Sequence, residues 1–186
     1  DQLIEMFRKL PRELDAALVM MGDGKLTEEL KEAAEGMNVV FPGFLDDREE
    51  LARALASSDI YVSAMASETF GISVIEAQAC GLPVIGVDAG AMPSRVSPEN
   101  GVLVPANDPQ AIAQAVVDIW PEKAAAMGRE ARALVEREDH RLRVEHAARQ
   151  LELAERVRSH HREVERTEGQ AAQVAKLERL ERRAAA

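Results

Sequence analysis

Through the first 120 residues the apolar positions follow two alternating rhythms. Short runs rich in Val, Ile, Leu and Met fall at Ala16 to Met21, Asn38 to Phe41, Ile60 to Ala64, Pro83 to Val87 and Gly101 to Val104, and each predicts a strand. Between them apolar residues recur at helical spacing, predicting helices from Leu3 to Leu10, Thr27 to Glu35, Asp46 to Ser57, Phe70 to Cys80 and Asp108 to Trp120. The punctuation agrees with these limits. Pro11 ends the first helix, Thr27 stands as N-cap of the second, the Asp46-Asp47 pair caps the third, and Gly81 closes the fourth. Strands that alternate with helices imply crossover units and a mostly parallel sheet with helices on both faces. Because the strands are apolar on both sides, burial under two helical layers is expected.

Beyond Pro121 the rhythm is helical only, in segments from Ala124 to Glu138, Leu142 to Val164 and Ala171 to Arg182. Leu142, Ala148, Leu151, Ala154 and Val157 form a modest apolar stripe among interleaved opposite charges. That pattern fits a solvated helical tail, or a helix that docks on another domain or forms a coiled coil. All 11 glycines except Gly128 and Gly169 precede Pro121, as do seven of the eight prolines. The chain is therefore expected to divide into a turn-rich α/β domain, residues 1–120, and a helical extension, residues 121–186.

Charge changes at the same place. Up to Trp120 there are 20 acidic residues against 8 basic ones, and beyond it 13 against 15, within a total of −10. No broad basic surface is left to neutralise a phosphate backbone, which argues against nucleic acid as a partner. No apolar run approaches the roughly 18 residues of a transmembrane helix, and no basic-then-apolar leader opens the sequence; a cytoplasmic location is expected. The single cysteine, Cys80, excludes an internal disulfide and reads as a packed small side chain. His140 and His146 are six apart and His160 and His161 adjacent, so neither pair suits a metal, and no metal or other cofactor is expected. Trp120 reads as a cover for the core.

The densest chemistry lies between Ser67 and Ile85. Glu68 precedes a helix and Glu76 follows eight residues later inside it. At about 100° per residue, Glu76 lies two turns along, about 80° round from Glu68. Gly71 lets backbone approach a ligand closely. The N–H groups of Thr69, Phe70, Gly71 and Ile72 lie at the positive end of the helix, where a diphosphate can sit. A carboxylate at this mouth suits sugar hydroxyls, and one two turns along suits a ribose diol. Taken singly, Glu68 reads equally as a partner of the helix dipole and Glu76 as an exposed helix acid.

This stretch resembles the E-x7-E motif of retaining glycosyltransferases with the GT-B fold, specifically the large family four. The resemblance extends to Asp59-Ile60-Tyr61-Val62-Ser63 before the motif, and to Cys80-Gly81-Leu82-Pro83-Val84 and Ala89-Gly90-Ala91 after it. It continues through Glu99-Asn100-Gly101-Val102-Leu103-Val104-Pro105 and Asp108-Pro109, and upstream to Gly22, about 100 residues in all. It implies a Rossmann-like domain, one half of a GT-B fold. Glu68 would then be the catalytic-site carboxylate that contacts the transferred sugar. The amides from Thr69 through Phe70 and Gly71 to Ile72 would hold sugar and diphosphate, and Glu76 the ribose. Gly22-Asp23-Gly24 looks like the family's glycine turn beside the donor, and Phe41-Pro42-Gly43-Phe44-Leu45 like the loop against the base, with Phe44 and Leu45 at its end. Asp47 could accept from a guanine edge; a plain helix N-cap is the competing reading. Gly90-Ala91-Met92-Pro93 resembles a small-residue loop of the family, but Ser94 stands where many members have an acid. Arg95 and Lys25 are candidate phosphate contacts.

By the same resemblance, the first strand of the domain, the Arg and Lys that neutralise the leaving diphosphate, and the acceptor-binding N-terminal domain all lie ahead of Asp1. The acceptor domain would be supplied in cis or as a partner chain. The expected function is donor binding within a metal-independent retaining glycosyltransferase that moves a hexose from a UDP- or GDP-linked sugar, with this chain alone inactive. A glycogen-synthase-like transferase or a nucleotide-sugar epimerase is disfavoured by the contiguous Ser-Glu-Thr-Phe-Gly stretch. The alternative from another class is a non-catalytic binding or assembly module derived from such a domain. A missing first strand would also leave two neighbouring strands with open edges.

Overall fold

The computed structural model describes residues 2–138. The predicted helices from Leu142 to Val164 and Ala171 to Arg182 lie outside them. Elements alternate as expected: α1 (Gln2–Arg8), β1 (Leu18–Met21), α2 (Thr27–Ala33), β2 (Val39–Gly43), α3 (Arg48–Ala56), β3 (Tyr61–Ser63), α4 (Ile72–Ala79), β4 (Val84–Val87), β5 (Gly101–Val104) and α5 (Pro109–Ile119). Short 3-10 turns stand at Arg12–Leu14 and Met92–Ser94. Residues 122–138 form a further helix, α6.

Every strand pairing is parallel. β1 pairs with β2 through Leu18 opposite Val39 and Val19 opposite Val40, with an irregularity before Met21 meets Gly43. β3 pairs with β4, and β4 with β5, in unbroken register. The strands form two sheets, β1-β2 and β3-β4-β5, rather than one.

The period-2 alternation of β4 defines the layers. Ile85 and Val87 pack on one face with Met6 of α1, Ile112, Ala115 and Ile119 of α5, and Ala124 of α6. Val84 packs on the other face with Val74 of α4, Met92 and Val96. Beside it, Leu55 of α3, Ala77 of α4 and Leu82 form a third cluster. Helices thus cover both faces, as expected. Among the described strands only β4 is buried along its whole length. β1 and β2 differ from the expectation of two-sided burial, because Val19 and Val40 are half exposed.

Between β1 and β3 lies an apolar slot of about 410 Å³. Leu18, Val19 and Met21 line one wall and Ile60, Tyr61 and Val62 the other, with Met6 and Phe7 of α1, Leu55 and Val116 among its remaining lining. Trp120, which ends α5, borders this slot and is 36% exposed, so it only partly covers the core.

The compact unit extends to Arg137, so the change of composition at Pro121 falls inside it. The reason is packing by α6. Ala124 and Ala131 are buried, and Gly128 sits so close to the Gly81 carbonyl that a side chain there would collide with it.

Candidate functional site

The helix-end residues largely behave as their chemistry dictates. Asp47 is the N-cap of α3, its carboxylate accepting the Glu49 N–H at 2.7 Å. Asp108 caps α5 by accepting from Ala111 at 2.9 Å. Thr27 departs from its predicted role, because Leu26 occupies the N-cap position and Thr27 is already helical. Its hydroxyl instead donates to Asp23 Oδ1 at 2.8 Å, and the same Asp23 oxygen accepts the Gly24 N–H at 2.8 Å. These bonds, Thr27 first and Gly24 second, hold the Asp23 carboxyl below its ordinary pKa. Gly22 has φ +116°, which excludes a side chain on conformational grounds, yet the space beside both Gly22 and Gly24 is open. This turn leaves the carboxyl end of β1, and the Gly22 N–H donates to Gly43 O at 2.8 Å, tying it to the end of β2. Phe44 follows at once, 71% exposed, with Leu45 half-buried beside it. Cys80 is half-buried against the Leu55 cluster.

A second group gathers beyond the carboxyl ends of β3 and β4. Glu68 lies in the turn after β3, and its Oε1 accepts the N–H of Gly71 at 2.9 Å and of Phe70 at 3.2 Å. Those bonds, Gly71 first, lower its pKa and keep it ionised. The carboxylate therefore occupies two of the four amides that sequence reasoning offered to a diphosphate. Gly71 precedes α4 in the left-handed region, φ +67°, and a β-carbon there would contact Arg95 Cγ at 3.5 Å. Phe70, 71% exposed, and Ile72 turn their side chains outward where the turn enters α4. Glu76 is half-buried two turns along α4.

Tyr61, the one tyrosine in the chain, belongs to this group and escaped sequence reasoning. Burial is the main cause that raises its phenol pKa; a hydrogen bond with Ser73 opposes the rise, and the charges of Glu68 and Glu76 add to it. Its phenol therefore feels both carboxylates while the ring packs into the core below α4. Its only sequence signal was its position in β3, one strand ahead of the motif. The site thus forms two clusters, Gly22, Gly24, Phe44 and Leu45 on one sheet, and Glu68 to Gly71, Ile72 and Glu76 on the other. Among the described residues no group of three or more His, Cys, Asp and Glu could hold a metal ion, and no helix is long and apolar enough to cross a membrane.

Comparison with known proteins finds relatives of this fold. HepE from Anabaena, solved with UDP, is 25% identical with a TM-score of 0.63, over 73% of this chain and 40% of that one. Sucrose-phosphate synthase from Thermosynechococcus elongatus is 30% identical with a TM-score of 0.65, over 82% of this chain and 43% of that one. The C-terminal domain of LpcC, a glycosyl transferase group 1 family protein from Francisella tularensis, is 27% identical with a TM-score of 0.62, over 73% and 76%. A GDP-mannose-dependent alpha-(1-6)-phosphatidylinositol dimannoside mannosyltransferase from Mycobacterium tuberculosis is 43% identical over 47 residues, 25% of this chain and 12% of that protein. The chain spans less than half of HepE, of the synthase and of this mannosyltransferase. The family model for glycosyl transferases group 1 matches residues 1–122, and the chain accordingly belongs to that family as a GT-B glycosyltransferase domain.

Proposed function

We propose that this chain is the donor-binding half of a retaining, family-four glycosyltransferase that transfers a hexose from a UDP- or GDP-linked sugar. The observation that carries the proposal is the turn from Glu68 to Gly71 leading into α4. It combines an ionised carboxylate, backbone amides at a helix start and a second carboxylate, Glu76, two turns on, beyond the carboxyl ends of parallel strands. Ligands of open parallel α/β sheets bind at those ends. Glu68 meets the transferred sugar, the amides from Thr69 to Ile72 meet sugar and diphosphate, and Glu76 accepts hydroxyls of the ribose. Gly22 and Gly24 keep the opposite loop clear of side chains, and Phe44 with Leu45 lies against the base. HepE, solved with UDP, and the GDP-mannose-dependent relative support the two nucleotide classes.

In this proposal no metal is required. An Arg and a Lys ahead of Asp1 in the longer enzyme neutralise the leaving diphosphate. The strand that carries them forward fills the slot between β1 and β3, and a further Rossmann-like domain binds the acceptor. This chain alone therefore binds donor without transferring sugar, in a cytoplasmic enzyme whose acceptor domain can meet the membrane surface.

One observation favours the competing reading of a non-catalytic assembly module, namely that Glu68 itself fills the Phe70 and Gly71 amides. Calorimetry of the chain with UDP and with GDP separates the two readings. Donor binding predicts a measurable affinity for one nucleotide that Glu76→Ala weakens by about 1–3 kcal/mol through the lost ribose hydrogen bonds. Equal binding by both proteins, or none by either, supports the assembly module.

A further inference from the structure

The loop from Asp88 to Asn100 carries more of the site than its sequence suggests. Gly90 adopts a left-handed conformation, φ +59°. A β-carbon there would collide with the Glu68 carbonyl oxygen, and would stand 3.1 Å from Ala66 O and 3.2 Å from Glu68 N. The next residue adds a bond to this contact, the Ala91 N–H donating to Glu68 O at 2.8 Å. Backbone therefore lies directly against backbone behind the Glu68 turn.

The loop is itself anchored by the two buried polar side chains of the core, Gln78 at 1% exposure and Asn100 at 2%. Both amides donate to one acceptor, the Arg95 carbonyl oxygen, Gln78 Nε2 at 2.9 Å and Asn100 Nδ2 at 3.1 Å. Asn100 Oδ1 in turn accepts the Ser97 N–H at 2.7 Å. Met92, fully buried, fixes the middle of the loop beneath β4. Gln78 belongs to α4, so the helix that follows the Glu68 turn is bonded to the loop that abuts Glu68 from behind. Two amides spent on one carbonyl make the loop a rigid template, since each buried bond lost leaves a polar group unsatisfied.

We propose that Gly90 is a positioning residue, whose missing side chain sets where the Glu68 carboxylate stands over the start of α4, on a loop held in place by Gln78 and Asn100. The sugar-binding consequence rests on the donor-site reading above; the placement of Glu68 does not. A displacement of about 1 Å at a site of this kind costs on the order of a hundredfold in rate.

The test uses the full chain labelled with ¹³C at glutamate carboxyls, the Glu68 signal being assigned through Glu68→Gln. In the native protein the Gly71 and Phe70 amides lower the Glu68 pKa from its ordinary value. Gly90→Ala should move the Glu68 midpoint up into the ordinary range while the other glutamates keep theirs. Gly90→Asn separates the two physical causes, since asparagine tolerates the left-handed region but still carries a β-carbon. It should shift Glu68 as Gly90→Ala does; an asparagine variant identical to native protein would assign the effect to backbone strain and overturn the proposal. Should Gly90→Ala fail to fold, Gln78→Met decides, because it conserves volume and leaves Arg95 O its bond from Asn100. It should shift Glu68 in the same direction by less. An unmoved Glu68 midpoint in folded variants overturns the proposal.

A second measurement compares UDP with UDP-glucose and GDP with GDP-mannose. The advantage of the nucleotide sugar over its nucleotide should fall about tenfold in Gly90→Ala through weakened sugar hydrogen bonds to Glu68, while affinity for the bare nucleotide changes little. If native protein binds none of the four, the donor reading fails while the carboxyl titration still judges Gly90.

Discussion

If the slot between β1 and β3 is the seat of a strand, then supplying one should fuse the two sheets. The perturbation is an N-terminal extension of about five β-branched residues, a common strand length, joined by a short turn to α1. In parallel strands successive residues direct their backbone groups to opposite sides. The Leu18 and Gly22 N–H groups bond toward β2, and that of Tyr61 toward β4. Val19, Met21 and Val62 therefore point theirs into the slot, where the added strand accepts them. At about 24 cal/mol per Å³, the 410 Å³ of the slot sets a ceiling near ~10 kcal/mol, and water entering the open slot lowers it. Ordering five backbone residues at about 1–2 kcal/mol each takes back half of that or more. A covalent extension escapes the association cost, so a net gain of at most about 5 kcal/mol is expected. In urea this is a midpoint rise of up to about 2.5 M at a slope near 2 kcal/mol/M. Hydrogen exchange should slow at Val19, Met21 and Val62. A serine- and lysine-rich extension of equal length should do neither. If the apolar extension also leaves the urea midpoint and those three amides unchanged, the slot does not receive a strand.

Other consequences are quicker to check. Asp47→Ala should cost about 1 kcal/mol in urea denaturation through the lost α3 cap, with UDP and GDP titrations unchanged; a selective loss of GDP affinity would instead make Asp47 a guanine contact. The folded-state pKa of Glu68 is lowered, so its contribution is present above the ordinary carboxylate range and is lost as pH falls through the folded value. Amide exchange at Gly71, corrected for its intrinsic pH dependence, should therefore lose protection on acidification, and Glu68→Gln should remove that dependence. Ile85→Ala, in the fully buried strand β4, should destabilise by about 2–5 kcal/mol in urea without altering the Glu68 titration.

The element order was legible because each switch of period carries a chemical stop, and β3, α4, β4 and β5 lie within two residues of the limits set by Gly81 and the apolar runs. The division into two sheets leaves β1 and β3 each with an open edge, as the resemblance implied. Local spacing could not foresee what depends on distant contacts. Thr27 lies inside α2 rather than at its cap, its hydroxyl accepting the Gly24 N–H and donating to Asp23 in the turn before the helix. Glu68 fills the amides behind it because a flexible side chain can fold back where a rigid helix count cannot follow. Tyr61 joins the site only through packing below α4, and α6 joins the core through the Gly81–Gly128 approach, which pairs residues 47 positions apart.

The most direct test of donor binding is an amide chemical-shift titration of the full chain with UDP and with GDP. One of them, binding at the carboxyl ends of the strands, should move the signals of Gly22, Gly24, Phe44 and Leu45 together with those from Thr69 to Ile72. The Glu76→Ala variant should need about tenfold more ligand for the same shifts. Shifts confined to other surfaces, or none with either nucleotide, would contradict donor binding.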